Sequence, residues 1–156
     1  MVDAKTFSRS DDSTAGHSAP TILVVDDNQG VLDFLLLLFT KYAFNVIGAS
    51  SGAKCLELVR SRPIDLIVLD VMMPVMDGLQ VCQELKKIAP SMPVILLTAR
   101  DDLVTRAAAM DLGVSEFVTK PVNNRDLLNR VRTQLRGVEW EKANDEVFAK
   151  IEGSNP

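Results

Sequence analysis

Ile22-Leu23-Val24-Val25-Asp26-Asp27-Asn28 decides the fold: a short, wholly apolar run that ends abruptly in two carboxylates. The shape returns at Leu66-Ile67-Val68-Leu69-Asp70, and with a hydroxyl as its polar end at Val94-Ile95-Leu96-Leu97-Thr98. Strands that are apolar throughout, rather than alternating, belong to parallel sheets buried on both faces. Two further runs, Val46–Ala49 and the weaker Phe117–Val118, complete a set of five.

Between the runs the apolar period lengthens to that of a helix. Val31, Phe34, Leu35, Leu38 and Tyr42 share one face, as do Ala53, Leu56 and Val59, and then Leu79, Cys82, Leu85 and Ala89. Leu103 to Leu112 is Ala-rich and weaker in period, whereas Leu127, Leu128, Val131 and Leu135 mark a strong last helix. Strand-then-helix units repeated along a chain imply a parallel sheet covered on both faces by right-handed crossovers. The expected class is therefore α/β: a doubly wound sheet of five parallel strands with helices on both faces.

At 156 residues, with 47% hydrophobic and 24% charged residues, the chain has the composition of one globular domain with short extensions. Residues 1–20, rich in Ser, Thr, Asp, Gly and Pro, read as a flexible leader, 21–136 as the domain, and 137–156 as a C-terminal extension. In the extension Trp140, Ala143, Val147 and Ile151 fall at helical spacing with Phe148 alongside. That spacing gives an apolar face for a short amphipathic helix without its partner: a tail packed on its own domain, or an interface element or the start of a linker.

A net charge of −4 and a pI of about 5.0 argue against a nucleic-acid-binding surface. Cys55 and Cys82, without a CxxC motif, read as small core residues rather than a disulfide or zinc site. The longest apolar run, Phe34 to Phe39, is far short of the ~20 residues that cross a bilayer, and no signal-peptide core opens the chain. The expectation is a soluble, cytoplasmic protein with no membrane partner.

In open parallel sheets, ligands bind beyond the carboxyl ends of the strands, where the strand order reverses. The residues following the strands here are Asp26 and Asp27, Asp70, Thr98, and Thr119-Lys120-Pro121. In a flavodoxin-like order, 2-1-3-4-5, strands 1 and 3 are neighbours, so three carboxylates would meet in one crevice and raise at least one pKa unless a cation neutralises them. A hard divalent ion such as Mg²⁺ suits oxygen ligands of this kind. Carboxylate, metal and lysine together would equip an aspartate to act as a nucleophile toward phosphorus. Taken singly, each residue has a structural reading: Asp27 or Asn28 as a helix cap, Thr98 as a strand end, Lys120-Pro121 as a loop. Their coincidence at successive strand ends favours the functional one.

From Thr21 to Arg136 the chain resembles the receiver domain of two-component response regulators. The resemblance lies in Ile22–Asn28, in Leu69-Asp70-Val71-Met72-Met73-Pro74-Val75-Met76-Asp77-Gly78, in Leu96-Leu97-Thr98-Ala99 and in Glu116-Phe117-Val118-Thr119-Lys120-Pro121. The steps from Asp27 to Asp70 and from Asp70 to Lys120 are also those of the family. The resemblance implies that Asp70 is the phosphoacceptor. Asp26, Asp27, Asp70 and the backbone carbonyl of Met72 would hold Mg²⁺, with Asp26 acting largely through a coordinated water. Lys120 and Thr98 would meet phosphoryl oxygens, and Ala99 would leave the site open. Phe117 would turn inward on activation, and the Lys120-Pro121 peptide would be cis. Met72 and Arg100 occupy positions that tune phosphoryl lifetime in the family.

The implied partners are a histidine kinase or histidine phosphotransfer protein as donor and a downstream protein target. A homodimer through helix 4, strand 5 and helix 5 also stays open. Leu32 and Leu36, set outside the inward stripe of the first helix, are expected to form an apolar patch for docking the donor. With ~20 residues after the domain, too few for a compact output domain, the chain reads as a stand-alone receiver or one excised from a larger DNA-binding or enzymatic regulator. An aspartyl phosphatase of the haloacid-dehalogenase type is disfavoured because Met72 stands where that family places its second Asp. A pseudo-receiver is disfavoured because no member of the expected site is missing. The expected protein is a signalling switch that catalyses only its own phosphoryl transfer and dephosphorylation.

Overall fold

The computed structural model describes residues 19–99, 102–114, 116–136 and 147–152. Five strands, β1 (Thr21–Val25), β2 (Asn45–Ala49), β3 (Leu66–Asp70), β4 (Val94–Thr98) and β5 (Glu116–Thr119), alternate with α1 (Gln29–Lys41), α2 (Gly52–Ser61), α3 (Gly78–Ile88), α4 (Leu103–Asp111) and α5 (Asn124–Gln134). All neighbouring strands pair in parallel, in the order β2-β1-β3-β4-β5. This is the expected doubly wound order, and each strand reaches one or two residues beyond its apolar run.

Alternate strand residues face opposite layers. Ile22, Val24, Val68, Ile95 and Leu97 join the core beneath α1 and α5, whereas Leu23, Val25, Ile67, Leu69 and Leu96 pack under α2, α3 and α4. Both sheet faces are covered, which is why consecutive residues within the strands, and not only alternate ones, are apolar. Cys55 and Cys82 lie in the second layer, where burial pushes both thiols up to about 12 and keeps them protonated.

The helices start on side-chain caps that satisfy their first N–H groups. The Val31 N–H donates to Asn28 Oδ1 at 3.1 Å, so Asn28, and not Asp27, caps α1. Asp77 and Gln80 form a reciprocal capping box at α3, fixing that helix immediately after the loop that follows Asp70.

The phase of α1 differs from the sequence expectation. Leu32, Leu35, Leu36 and Phe39 are its buried residues, while Phe34 is 49% and Leu37 68% exposed. Leu32 and Leu36 therefore belong to the core, and the docking patch expected from them does not exist. Because residues 34–39 are apolar without a break, they mark no inner face. The choice falls to β2, where Gly48 leaves a hollow that Leu32 and Leu36 fill.

Of the C-terminal extension, residues 147–152 are helical and Phe148 is buried in the layer of α1 and α5, with Ile151 packed against it. This short helix lies on its own domain. Trp140 and Ala143 fall outside the described residues.

Candidate functional site

Parallel pairing sets Asp70 beside Leu97 and Thr98 beside Thr119, so the polar ends of β3, β4 and β5 converge on one rim. Asp26, immediately after β1, enters the same crevice because β1 is the inner neighbour of β3. Asp26, Asp70 and Thr98 are almost fully buried, while Asp27 is exposed at the mouth. Carboxylate oxygens of Asp26, Asp27 and Asp70 lie within 4.8 Å of one another.

Each carboxylate is supported differently. Asp26 Oδ1 accepts the Asn28 N–H at 2.9 Å, and its Oδ2 is buried with no hydrogen-bond partner among the described residues. Burial raises the Asp26 pKa, the charges of Asp70 and Asp27 add to the rise, and the Asn28 N–H and Lys120 oppose it. Asp70 Oδ1 is ion-paired with Lys120 Nζ. Burial still raises the Asp70 pKa, with Asp27 contributing, against the pull of Lys120 and of the Met72 N–H. Lys120 is held in place by its own backbone, whose N–H donates to the Thr98 carbonyl at 2.8 Å.

The residues fit a hard cation. They offer clustered carboxylate oxygens, one of them buried and unpartnered, and more negative charge than Lys120 neutralises. The backbone of Met72 closes the same rim from the loop after β3, with its side chain 71% exposed. That loop is tight. The Met76 N–H donates to the Pro74 carbonyl at 2.7 Å around Val75, whose φ is 69°, and the Gly78 N–H donates to the Val71 carbonyl at 2.9 Å. A Cβ on Gly78 would lie 2.8 Å from the Asp70 carbonyl oxygen, so only glycine lets α3 start this close to the phosphoacceptor candidate.

The remaining expected residues take places around this centre. Ala99 is exposed at the end of β4, Pro121 follows a cis Lys120-Pro121 bond, and Phe117 is partly buried against the layer of α2 to α4. Arg100 lies outside the described residues. Leu32 and Leu36 are in the core and play no part. The apolar side chains that α1 does present outward are Phe34 and Leu37.

One residue of the site escaped the sequence reading. Arg106 of α4 donates from Nη2 to Thr98 Oγ1 at 3.1 Å and to Thr119 Oγ1 at 2.6 Å, and its guanidinium stands 5.7 Å from the centroid of the Phe117 ring. An arginine in a weakly periodic helix gives no sign in sequence that it points inward. Only the pairing of β4 with β5 brings its two acceptors side by side.

Comparison with known proteins agrees with this geometry. Residues 22–132 match the family model described as the response regulator receiver domain. The chain is 36% identical over 135 residues to the alkaline phosphatase synthesis transcriptional regulatory protein PhoP of Bacillus subtilis, covering 83% of this chain and 56% of that protein. It is 39% identical over 115 residues to the response regulator MprA of Mycobacterium sp., covering 74% and 50%. The chain thus spans about half the length of these curated relatives. Among solved structures, a response regulator receiver domain protein from Clostridium thermocellum aligns with a TM-score of 0.70 at 33% identity, covering 74% of this chain and 93% of that one. A CheY-like receiver domain protein from Methanospirillum hungatei aligns with a TM-score of 0.71 at 25% identity, covering 85% and 99%. With the acidic crevice, its lysine and the 2-1-3-4-5 sheet already in place, the chain belongs to the response regulator receiver domain family.

Proposed function

We propose that this receiver takes a phosphoryl group on Asp70 from a histidine kinase or a histidine phosphotransfer protein, and signals the change to a protein partner. The observation that carries the reading is the ion pair between Asp70 and Lys120, formed at a crevice that also holds Asp26 and Asp27. A carboxylate oxygen of Asp70 attacks phosphorus, the bond from phosphorus to the donor nitrogen or oxygen breaks, and the leaving group departs with that electron pair. Lys120, freed from the carboxylate oxygen it pairs with, follows the charge onto a phosphoryl oxygen. Thr98 offers its hydroxyl to another. Attack by water on the same phosphorus returns inorganic phosphate and the free carboxylate, so the only turnover is of the protein's own phosphoryl group.

Asp26, Asp27, Asp70 and the Met72 carbonyl are the groups that would hold Mg²⁺. When bound, it supplies charge neutralisation for the carboxylates and for the incoming phosphoryl oxygens. Phosphorylation adds ~1.5–2 negative charges at the end of β3, and whichever conformation meets that charge better gains population.

The face of α4, β5 and α5 suits an output contact, either with a target protein or with a second copy. Leu103, Val104 and Met110 are exposed along α4, and Arg130 of α5 bridges Glu116 of β5 at 2.8 Å and Asp126 at 3.0 Å. Apolar groups rimmed by such charges favour association with another protein. The net charge of −4 disfavours direct nucleic-acid binding by this chain, and a cytoplasmic setting follows from the proposed kinase partner. Because its curated relatives are about twice as long, a second reading takes the chain as the receiver part of a larger regulator.

The test is phosphorylation by acetyl phosphate, read on a phosphate-affinity gel with Asp70→Asn beside the wild type. A shifted band that requires Mg²⁺ and disappears in the variant is the expected result. A band that persists in Asp70→Asn would overturn the assignment, and hydrolysis of a generic phosphomonoester would point to a phosphatase instead.

A further inference from the structure

α4 is loosely seated. Ala109 is its one buried residue, and Leu103, Val104 and Met110 face outward. What ties the helix to the sheet near the site is Arg106, whose Nη2 meets the hydroxyls of Thr98 and Thr119 across the β4–β5 pair. The Nε of the same guanidinium is buried with no acceptor among the described residues. We propose that Arg106 is a positioning residue that anchors the Thr98 hydroxyl oxygen toward α4 in the resting molecule, so that α4 and the phosphoryl site compete for one hydroxyl. The proposal rests on the reading of Asp70 as phosphoacceptor.

The contact geometry makes this competition workable. Thr119 Oγ1, the nearer acceptor at 2.6 Å, stays with Arg106 when Thr98 leaves, so release of Thr98 does not strand a cation. The guanidinium also faces the Phe117 ring, so any shift of Arg106 changes the surroundings of that side chain directly. A single side chain thereby links the switch hydroxyl, the switch aromatic and the output helix.

The experiment is a double-mutant cycle on the Mg²⁺-dependent phosphorylation rate with acetyl phosphate, using the full chain. Arg106→Ala is expected to raise the rate about 2- to 10-fold, the factor one hydrogen bond contributes to an equilibrium. Arg106→Lys, which keeps a donor, should restore part of the resting rate. In a Thr98→Ala background Arg106→Ala should change nothing, because the contested hydroxyl is gone. An Arg106→Ala rate that is unchanged or slower, or an equal effect with and without Thr98, would overturn the proposal. Amide exchange of residues 103–111 reads the same anchor without phosphoryl transfer, and is expected to be faster in Arg106→Ala than in Arg106→Lys. If the wild type takes no phosphoryl group, the assignment of function fails on its own. The anchor is then judged by exchange alone, and identical exchange in the two variants would sink it.

Discussion

Gly48 in β2 and Leu36 in α1 are complementary: a Cβ on Gly48 would stand 3.0 Å from Leu36 Cδ1 and 3.3 Å from Leu32 Cδ1. The glycine hollow sets the rotation of α1, and with it which residues of a nearly all-apolar helix face the core. Gly48→Ala should destabilise the domain by about 1–3 kcal/mol through overpacking. Leu36→Ala should cost about 2–5 kcal/mol through the cavity it leaves. Since the smaller residue makes room for the added methyl, the double variant should cost less than the sum in urea denaturation. An additive result would mean that the two side chains do not meet.

The loop after Asp70 stores strain at Val75. Its φ of 69° and the Met76-to-Pro74 hydrogen bond make it the centre of a γ-turn that β-branched residues adopt reluctantly. Val75 is fully exposed, so a replacement loses no packing. Val75→Asn, which tolerates the left-handed region, should stabilise the protein by about 1 kcal/mol. A lower denaturation midpoint for Val75→Asn would contradict this.

The acidic crevice should act on stability with a definite sign. Asp26 and Asp70 hold their protons above the ordinary value of 3.8, so in that range the folded state binds more protons than the unfolded one. Stability of the metal-free protein is therefore reduced above the folded pKa values and regained as pH falls through them toward 3.8. Asp26→Asn removes one such charge and keeps the shape. It should raise the metal-free unfolding free energy at pH 7 and flatten this part of the pH profile. It should also shrink the thermal shift on adding Mg²⁺, which at 100 times Kd is about 2.7 kcal/mol for an intact site. An Asp26→Asn protein less stable than wild type without metal would refute the crowding of charge at this site.

Strand positions and site were legible for the same reason. An apolar run that stops at a polar residue marks both a doubly buried strand and its carboxyl end, so Asp26, Asp70, Thr98 and Lys120 could be placed before any coordinates. The phase of α1 was not, because residues 34–39 present apolar groups all round and the deciding partner, Gly48, lies in the next strand. Arg106 was hidden for a related reason. Its partners Thr98 and Thr119 are separated by 21 positions and become neighbours only through strand pairing. Local pattern records which face an element buries; it does not record which polar side chain reaches across to a second element.

The C-terminal helix gives the last prediction. The Phe148 ring lies tilted against Tyr42, at the end of α1, with centroids 4.5 Å apart, and the Arg132 guanidinium of α5 lies 4.1 Å from its ring centroid. Arg125 and Glu152 add an ion pair at 3.6 Å, too exposed to matter much. Phe148 thus closes the groove between α1 and α5, on the layer of the core opposite α4. Phe148→Ala should cost about 3 kcal/mol, at the low end for a buried phenylalanine because the site lies at the rim of the core. Arg132→Ala should cost about 0.5–1 kcal/mol through the lost cation–π contact. Neither change touches the acidic crevice, so Mg²⁺-dependent phosphorylation should persist in whatever fraction stays folded. If Phe148→Ala leaves the denaturation midpoint where it was, the helix does not rest on the domain in solution, and its apolar face is available to a partner.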